Sequence, residues 1–185
     1  MHNGYQEAVD DGGSPQNKPH AEGDAPIKNT EFEKVTLPDG TTVKRLKPNM
    51  EYQANGYTYK TDSQGRIKEA SGTLRQGQGK RSNHHQRTVG KNDGRLDTDQ
   101  GGHLIGNQFD GAGGKENLVP MDKDVNNYHK GEWGQMKKNW AEKISEGKQV
   151  DVKIEPIYSD NSARPSSFKI TEVIDGVINK RTIIN

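Results

Sequence analysis

The stretch Asp99-Gln100-Gly101-Gly102-His103-Leu104-Ile105-Gly106, followed by Glu116-Asn117-Leu118-Val119-Pro120-Met121 and then Asp124-Val125-Asn126-Asn127, decides how this chain is read. The apolar run Leu118 to Met121 has the length of a strand and begins directly after Asn117, so that asparagine stands at the strand's leading end. Asn126 comes nine residues after Asn117, on the first turn of an expected helix, the separation of a strand-then-helix step. Further on, Trp133, Met136, Trp140 and Ile144 recur at the spacing of one face of an amphipathic helix, and Gly147 suits its C-terminal stop. Gly131 separates this helix from the turn that carries Asn126, which Asp122 or Asp124 can cap.

On either side the pattern alternates as strands do. Lys34 to Arg45 reads as two short strands around an Asp39-Gly40 turn, and Tyr52 to Tyr59 and Arg66 to Leu74 as two more around Asp62-Ser-Gln-Gly65. Beyond the helix, Val150 to Tyr158, Ser167 to Ile174 and Val177 to Ile184 alternate, the last two joined at Asp175-Gly176. Strands, a basic loop, the quoted motif, a helix and further strands make an α+β chain with an antiparallel sheet.

With 185 residues, 27% of them hydrophobic and 29% charged, the chain holds one domain with a modest core. Residues 1 to 35 read as a disordered or linker-like leader rich in Gly, Pro, Asn and Asp, and 36 to 185 as the folded domain. The net charge of +1 hides an asymmetry. Seven acidic residues face three lysines between Met1 and Val35, whereas Arg75, Lys80, Arg81, Arg87, Lys91 and Arg95 face only Asp93 between Arg75 and Arg95. Such a basic segment is a candidate footprint for phosphates, and equally a solvated loop. The absence of cysteine excludes disulfides, thiolate metal sites and a thiol nucleophile, so a metal must be held by Asn, Asp, Glu or His. No apolar run approaches the roughly 20 residues that span a bilayer, and the first residues lack the basic start and apolar stretch of a secretory signal.

Histidine is suited to be a general base, because its ordinary pKa of about 6.5 leaves it largely neutral near physiological pH. The glycines before His103 are expected to let the backbone turn sharply and admit a phosphate without side-chain obstruction. Together, His103, Asn117 and Asn126 resemble the site of the DNA/RNA non-specific endonucleases of the ββα-metal (His-Me finger) superfamily, in the branch found as C-terminal domains of polymorphic bacterial toxins. The resemblance covers roughly Glu51 to Asn185 and implies a ββα-metal finger core packed on a twisted antiparallel sheet. It implies His103 as general base, Asn117 as the residue that orients the finger or the histidine, Asn126 as the direct ligand of Mg²⁺, and hydrolysis of DNA or RNA to 5′-phosphate ends. Arg87 and Arg95 are the candidates for extra charge stabilisation. The partners implied are nucleic acid and a cognate immunity protein, with no membrane insertion, and the protein would be secreted or delivered into target cells as part of a larger toxin.

The chain departs from the family pattern in three places. Gln100 and Gly101 stand where the better-known motif has Asp-Arg, with Asp97 and Asp99 just upstream, and Lys137 stands four residues after Trp133, where many relatives carry a glutamate. Glu132 or Glu142 would have to substitute, or no residue does. The adjacent His84 and His85 read as part of a solvent-facing basic loop, His129 as a second ligand only if the helix runs unbroken from Asn126, and Trp133 and Trp140 as core residues. A non-catalytic nucleic-acid-binding module and a β-rich surface domain are the competing functions.

Overall fold

The computed structural model describes residues 32–185. Strands β1 (Phe32–Thr36) and β2 (Thr42–Leu46) form the expected antiparallel hairpin, with Gly40 in the left-handed region at φ 88°. The expected leader therefore ends too late. Residues 1–31 lie outside the described residues, but 32–35 are strand, paired with β2 from Phe32↔Leu46 onward, and the Phe32 ring lies 5.5 and 5.2 Å from the ammonium groups of Lys44 and Lys115.

Tyr52 to Tyr59 is two strands where one was expected. Asn55 and Gly56 both take positive φ, 55° and 88°, and turn β3 (Glu51–Ala54) tightly back into β4 (Tyr57–Thr61). With β5 (Ile67–Thr73), β8 (Val150–Ile157), β9 (Ser167–Ile174) and β10 (Val177–Ile184) they build a six-stranded sheet in the order β10-β9-β8-β5-β4-β3, every neighbouring pair antiparallel. Helix α3 (Glu132–Ser145) lies across this sheet: the Trp133 ring packs 4.8 Å from that of Phe168, and Trp140 Nε1 donates to Glu172 Oε1 at 2.7 Å. Trp133, Met136 and Trp140 are fully buried, as their spacing predicts.

The remaining strands, β6 (Asp99–His103) and β7 (Leu118–Asp122), pair antiparallel as a separate ribbon, with His103 opposite Leu118. β7 runs directly into the short helix α2 (Lys123–Asn126), where Asp122 Oδ2 caps by accepting from the N–H groups of Asp124 and Val125. Gly131 then begins α3, so ribbon and helices make a ββα unit. The long connection between β6 and β7 is pinned to the sheet. Tyr57 Oη donates to the Phe109 carbonyl at 2.6 Å, Asn55 Nδ2 to that of Asp110, and Tyr59 Oη accepts from Ala112 N–H.

The basic segment is not simply a loop. Asn83–Thr88 forms helix α1, with Ser82 Oγ accepting from His85 N–H at its start. This helix buries none of its residues, so it leaves no apolar period in the sequence. His84 and His85 are consecutive on α1, with ring centroids 5.6 Å apart.

Candidate active site

Strand β6 carries the site from end to end. At its start Asp99 is held by a bidentate pair with Arg164 at 2.7 and 3.0 Å, a structural role that ties β6 to the segment between β8 and β9. Next to it, Gln100 Oε1 accepts from Asn126 Nδ2 at 2.9 Å. That bond fixes the Asn126 amide and leaves its Oδ1 for another partner. Asn126 lines a cleft of about 260 Å³ with Asn83, Gln86, Arg87, Arg95, Gln100 and Gly101, so three of the expected site residues meet there. A larger cavity of about 300 Å³, between the β1–β2 hairpin, α1 and β7, contains none of them.

The two arginines differ. Arg87, on the last turn of α1, is exposed, so its guanidinium is available to a ligand in the cleft. Arg95 is engaged by the protein: Nη1 donates to the Gln86 and Val89 carbonyls at 3.0 and 3.1 Å, and Nη2 to the Asp99 carbonyl at 3.3 Å. It clamps the C-terminal end of α1 onto β6, and burial lowers its pKa from the ordinary arginine value.

The glycine pair serves packing rather than phosphate approach. Neither glycine has a positive φ, and both lie within β6. A Cβ on Gly101 would collide with the α1 backbone at Gln86, and one on Gly102 would meet the Met121 side chain at 2.8 Å. The glycines thus let α1 and β7 close onto β6.

His103 ends the strand. It is 7% exposed, does not line the cleft of Asn126, and its Nε2 has no hydrogen-bond partner among the described residues. Its carbonyl accepts from Trp133 Nε1 at 3.2 Å, which fixes α3 against the strand end. Burial, reinforced by the positive charges of Arg81 and Lys137, holds its imidazole well below the usual histidine range. Asn117, fully buried, holds the connection that leaves His103. Its Oδ1 accepts from Ile105 N–H at 2.9 Å, and its Nδ2 donates to the carbonyls of Ile105 and Ala112 at 2.8 Å each. It orders the finger and does not touch the imidazole by any of these bonds.

His129 is exposed and separated from Asn126 by the break ahead of α3. Among the described residues no group of three His, Asp or Glu side chains could hold a metal. The side-chain oxygen donors at the cleft are neutral amides, beside the two arginines, and such oxygens suit a hard cation that retains most of its water. Gln100, Arg81 and Lys137 were not among the expected site residues. Lys137 had a visible signal, a lysine four residues after Trp133 and three before Trp140 on the buried stripe of α3; Arg81 had none to single it out within a basic segment.

A small nuclease built on a ββα ribbon is the class that this fold and site define. A sequence profile of the DNA/RNA non-specific endonucleases matches residues 48–176, and the chain belongs to that family, whose members are hydrolases of nucleic-acid phosphodiester bonds. Over 147 residues, 77% of this chain, it is 44% identical to the type VII secretion system protein EssD of Staphylococcus aureus, and it spans about a quarter (24%) of that protein's length. The fold is similar to that of NucA from Streptococcus agalactiae, solved with magnesium bound, at a TM-score of 0.58 and 13% identity over 83% of this chain and 82% of that one. It is also similar to the Sda1 nuclease with bound zinc, at a TM-score of 0.51 and 15% identity over 89% of this chain and 88% of that one. No helix among the described residues is long and apolar enough to cross a membrane.

Proposed function

We propose that this chain is a sequence-non-specific, Mg²⁺-dependent endonuclease acting on DNA, with RNA as a second substrate class. The observation that carries the reading is the arrangement along β6: a buried, unpartnered imidazole at one end and an oriented amide oxygen beside an open cleft at the other. His103, neutral because buried, takes the proton of the attacking water. Asn126 Oδ1 is the protein's ligand for the cation, and Gln100 orients that amide. When bound, the cation supplies positive charge against the phosphate oxygens. Arg87 contributes a guanidinium to the backbone phosphates, Arg95 positions the helix that carries Arg87, and Asn117 keeps the finger rigid. None of these groups reads a base, which fits cleavage without sequence preference.

Similarity to a quarter of a type VII secretion system protein supports a secreted effector domain; the reading carried from the family resemblance is that it belongs to a larger interbacterial toxin and has a cognate immunity protein as partner. Purified protein incubated with plasmid DNA and with RNA, in magnesium or in chelator, tests the activity. Degradation that needs the metal and is abolished by His103→Ala is the expected result. Salt-sensitive binding without cleavage would replace the proposal with a non-catalytic nucleic-acid-binding module. Expression that arrests the host for wild type but not for His103→Ala is expected of the toxin, and harmless wild type would count against it.

A further inference from the structure

We infer that nucleic acid bound at the cleft of Asn126 continues over helix α1 and makes a second set of phosphate contacts, with Lys44, Lys91 and Lys115, in the cavity behind that helix. The inference rests on the nuclease reading and extends its substrate-binding surface to a face that the cleft does not reach.

Helix α1 separates two spaces. Asn83, Gln86 and Arg87 line the cleft of Asn126, whereas His84 and Thr88 line the cavity between the β1–β2 hairpin, α1 and β7. Residues three or four apart share a helix face, so the two sets lie on different faces of one helix. Burial of an apolar face does not account for the position of α1, which buries none of its residues and is held by the Ser82 cap and the Arg95 clamp. A helix with its side chains is about 10 Å across, the length of about three base pairs of duplex, so one DNA segment can touch both sides.

The cavity gathers cations without matching anions. Lys44, Lys91 and Lys115 line it, and Asp93 is the one acidic residue among its described lining residues. Both oxygens of Asp93 are taken, since Arg45 Nε donates to Oδ2 at 2.9 Å and Nη2 to Oδ1 at 2.8 Å. Among the described residues no carboxylate forms an ion pair with any of the three lysines. Contacts bring two of them together: Lys115 Nζ donates to the Lys44 carbonyl at 3.0 Å, and the ammonium groups of both residues lie beside the same ring, that of Phe32. Burial first, then the Lys44 charge, lowers the Lys115 pKa, and Asp93 opposes them. Cations held in this way repel one another, and a run of phosphates relieves that repulsion while releasing counterions.

Fluorescence anisotropy of a labelled duplex of about 20 base pairs, titrated with the full chain in chelator at several salt concentrations, tests this without relying on cleavage. The triple variant Lys44→Gln, Lys91→Gln, Lys115→Gln is expected to bind at least about tenfold more weakly and to lower the salt slope by about 3, one for each lost phosphate contact. The corresponding triple arginine variant is expected to retain wild-type affinity. Lys91→Glu, at an exposed residue whose side chain makes no hydrogen bond among the described residues, gives the same direction of change with no risk to the fold. Unchanged DNA binding in the triple glutamine variant and in Lys91→Glu overturns the inference and leaves the cavity to an acidic protein surface. Equal weakening by Lys143→Gln, Lys153→Gln and Lys180→Gln together, outside the cavity, assigns the effect to net charge and overturns it too. DNA binding that needs the three lysines, with no cleavage in magnesium, would break the nuclease reading and keep the second contact.

Discussion

The two ends of strand β6 present different environments within five residues. At His103 the surroundings are buried and positive, under the charges of Arg81 and Lys137, whereas at Gln100 the strand opens on a cleft lined by Asn and Gln amides together with Arg87 and Arg95. The base proposed at His103 must stay unprotonated, and burial and the charges of Arg81 and Lys137 favour that state. The hydrated cation proposed at Asn126 needs oxygen donors and access to water, which the open end offers. One short strand keeps these requirements apart while holding both in a fixed relation.

The largest expected effect comes from emptying the buried end. His103→Ala lowers plasmid cleavage by about 10³-fold, the scale of a lost general base, with the protein still folded by circular dichroism. At the open end, Asn126→Ala lowers cleavage at fixed magnesium by about 10²-fold and Gln100→Ala by about 10-fold, as expected of a ligand and of the residue that orients it. Raising the magnesium concentration restores part of the Gln100→Ala loss and none of the His103→Ala loss. If both responded alike, the separation of the two ends would be false.

The pH dependence sharpens the same contrast. His103 has a folded pKa below its unfolded value of about 6.5, so the unfolded chain takes up a proton first and stability falls as pH drops below about 6.5. Cleavage is expected to hold its rate below that pH until the folded imidazole titrates. A rate that halves near the ordinary histidine pKa would show the base to be solvent-exposed. The smallest effect is that of Arg87→Ala, which raises KM several-fold with little change in kcat and reduces the salt slope of DNA binding by about 1, as for one lost phosphate contact.

Where periodicity exists, the sequence was legible. Ser167 to Ile174 and the stripe Trp133-Met136-Trp140 occur where they were read, because each buries one face against a common core, and Val177 to Ile184 does so because it pairs along its length with β9 after the Asp175-Gly176 turn, although it buries only Ile183. Helix α1 was not legible, since it buries nothing and is held by the Ser82 cap and the Arg95 clamp, both contacts made across the chain or at a single atom. The Asn55-Gly56 turn was present in the letters but hidden inside a run that alternates like one strand. Gly101-Gly102 was misread for a related reason: a glycine's meaning depends on what lies over it, and here that is a helix backbone and a methionine.

By itself the sequence determined the order of the elements and the positions of His103, Asn117 and Asn126, because alternation, helical spacing and a nine-residue step are properties of the linear chain. Only the tertiary structure decided what surrounds them. The electrostatics of His103 come from Arg81, 22 residues before it, and Lys137, 34 residues after it, and the setting of Asn126 from Gln100 on the neighbouring strand. A charge acts through space and through the water excluded between partners, and neither distance nor exclusion is written along the chain.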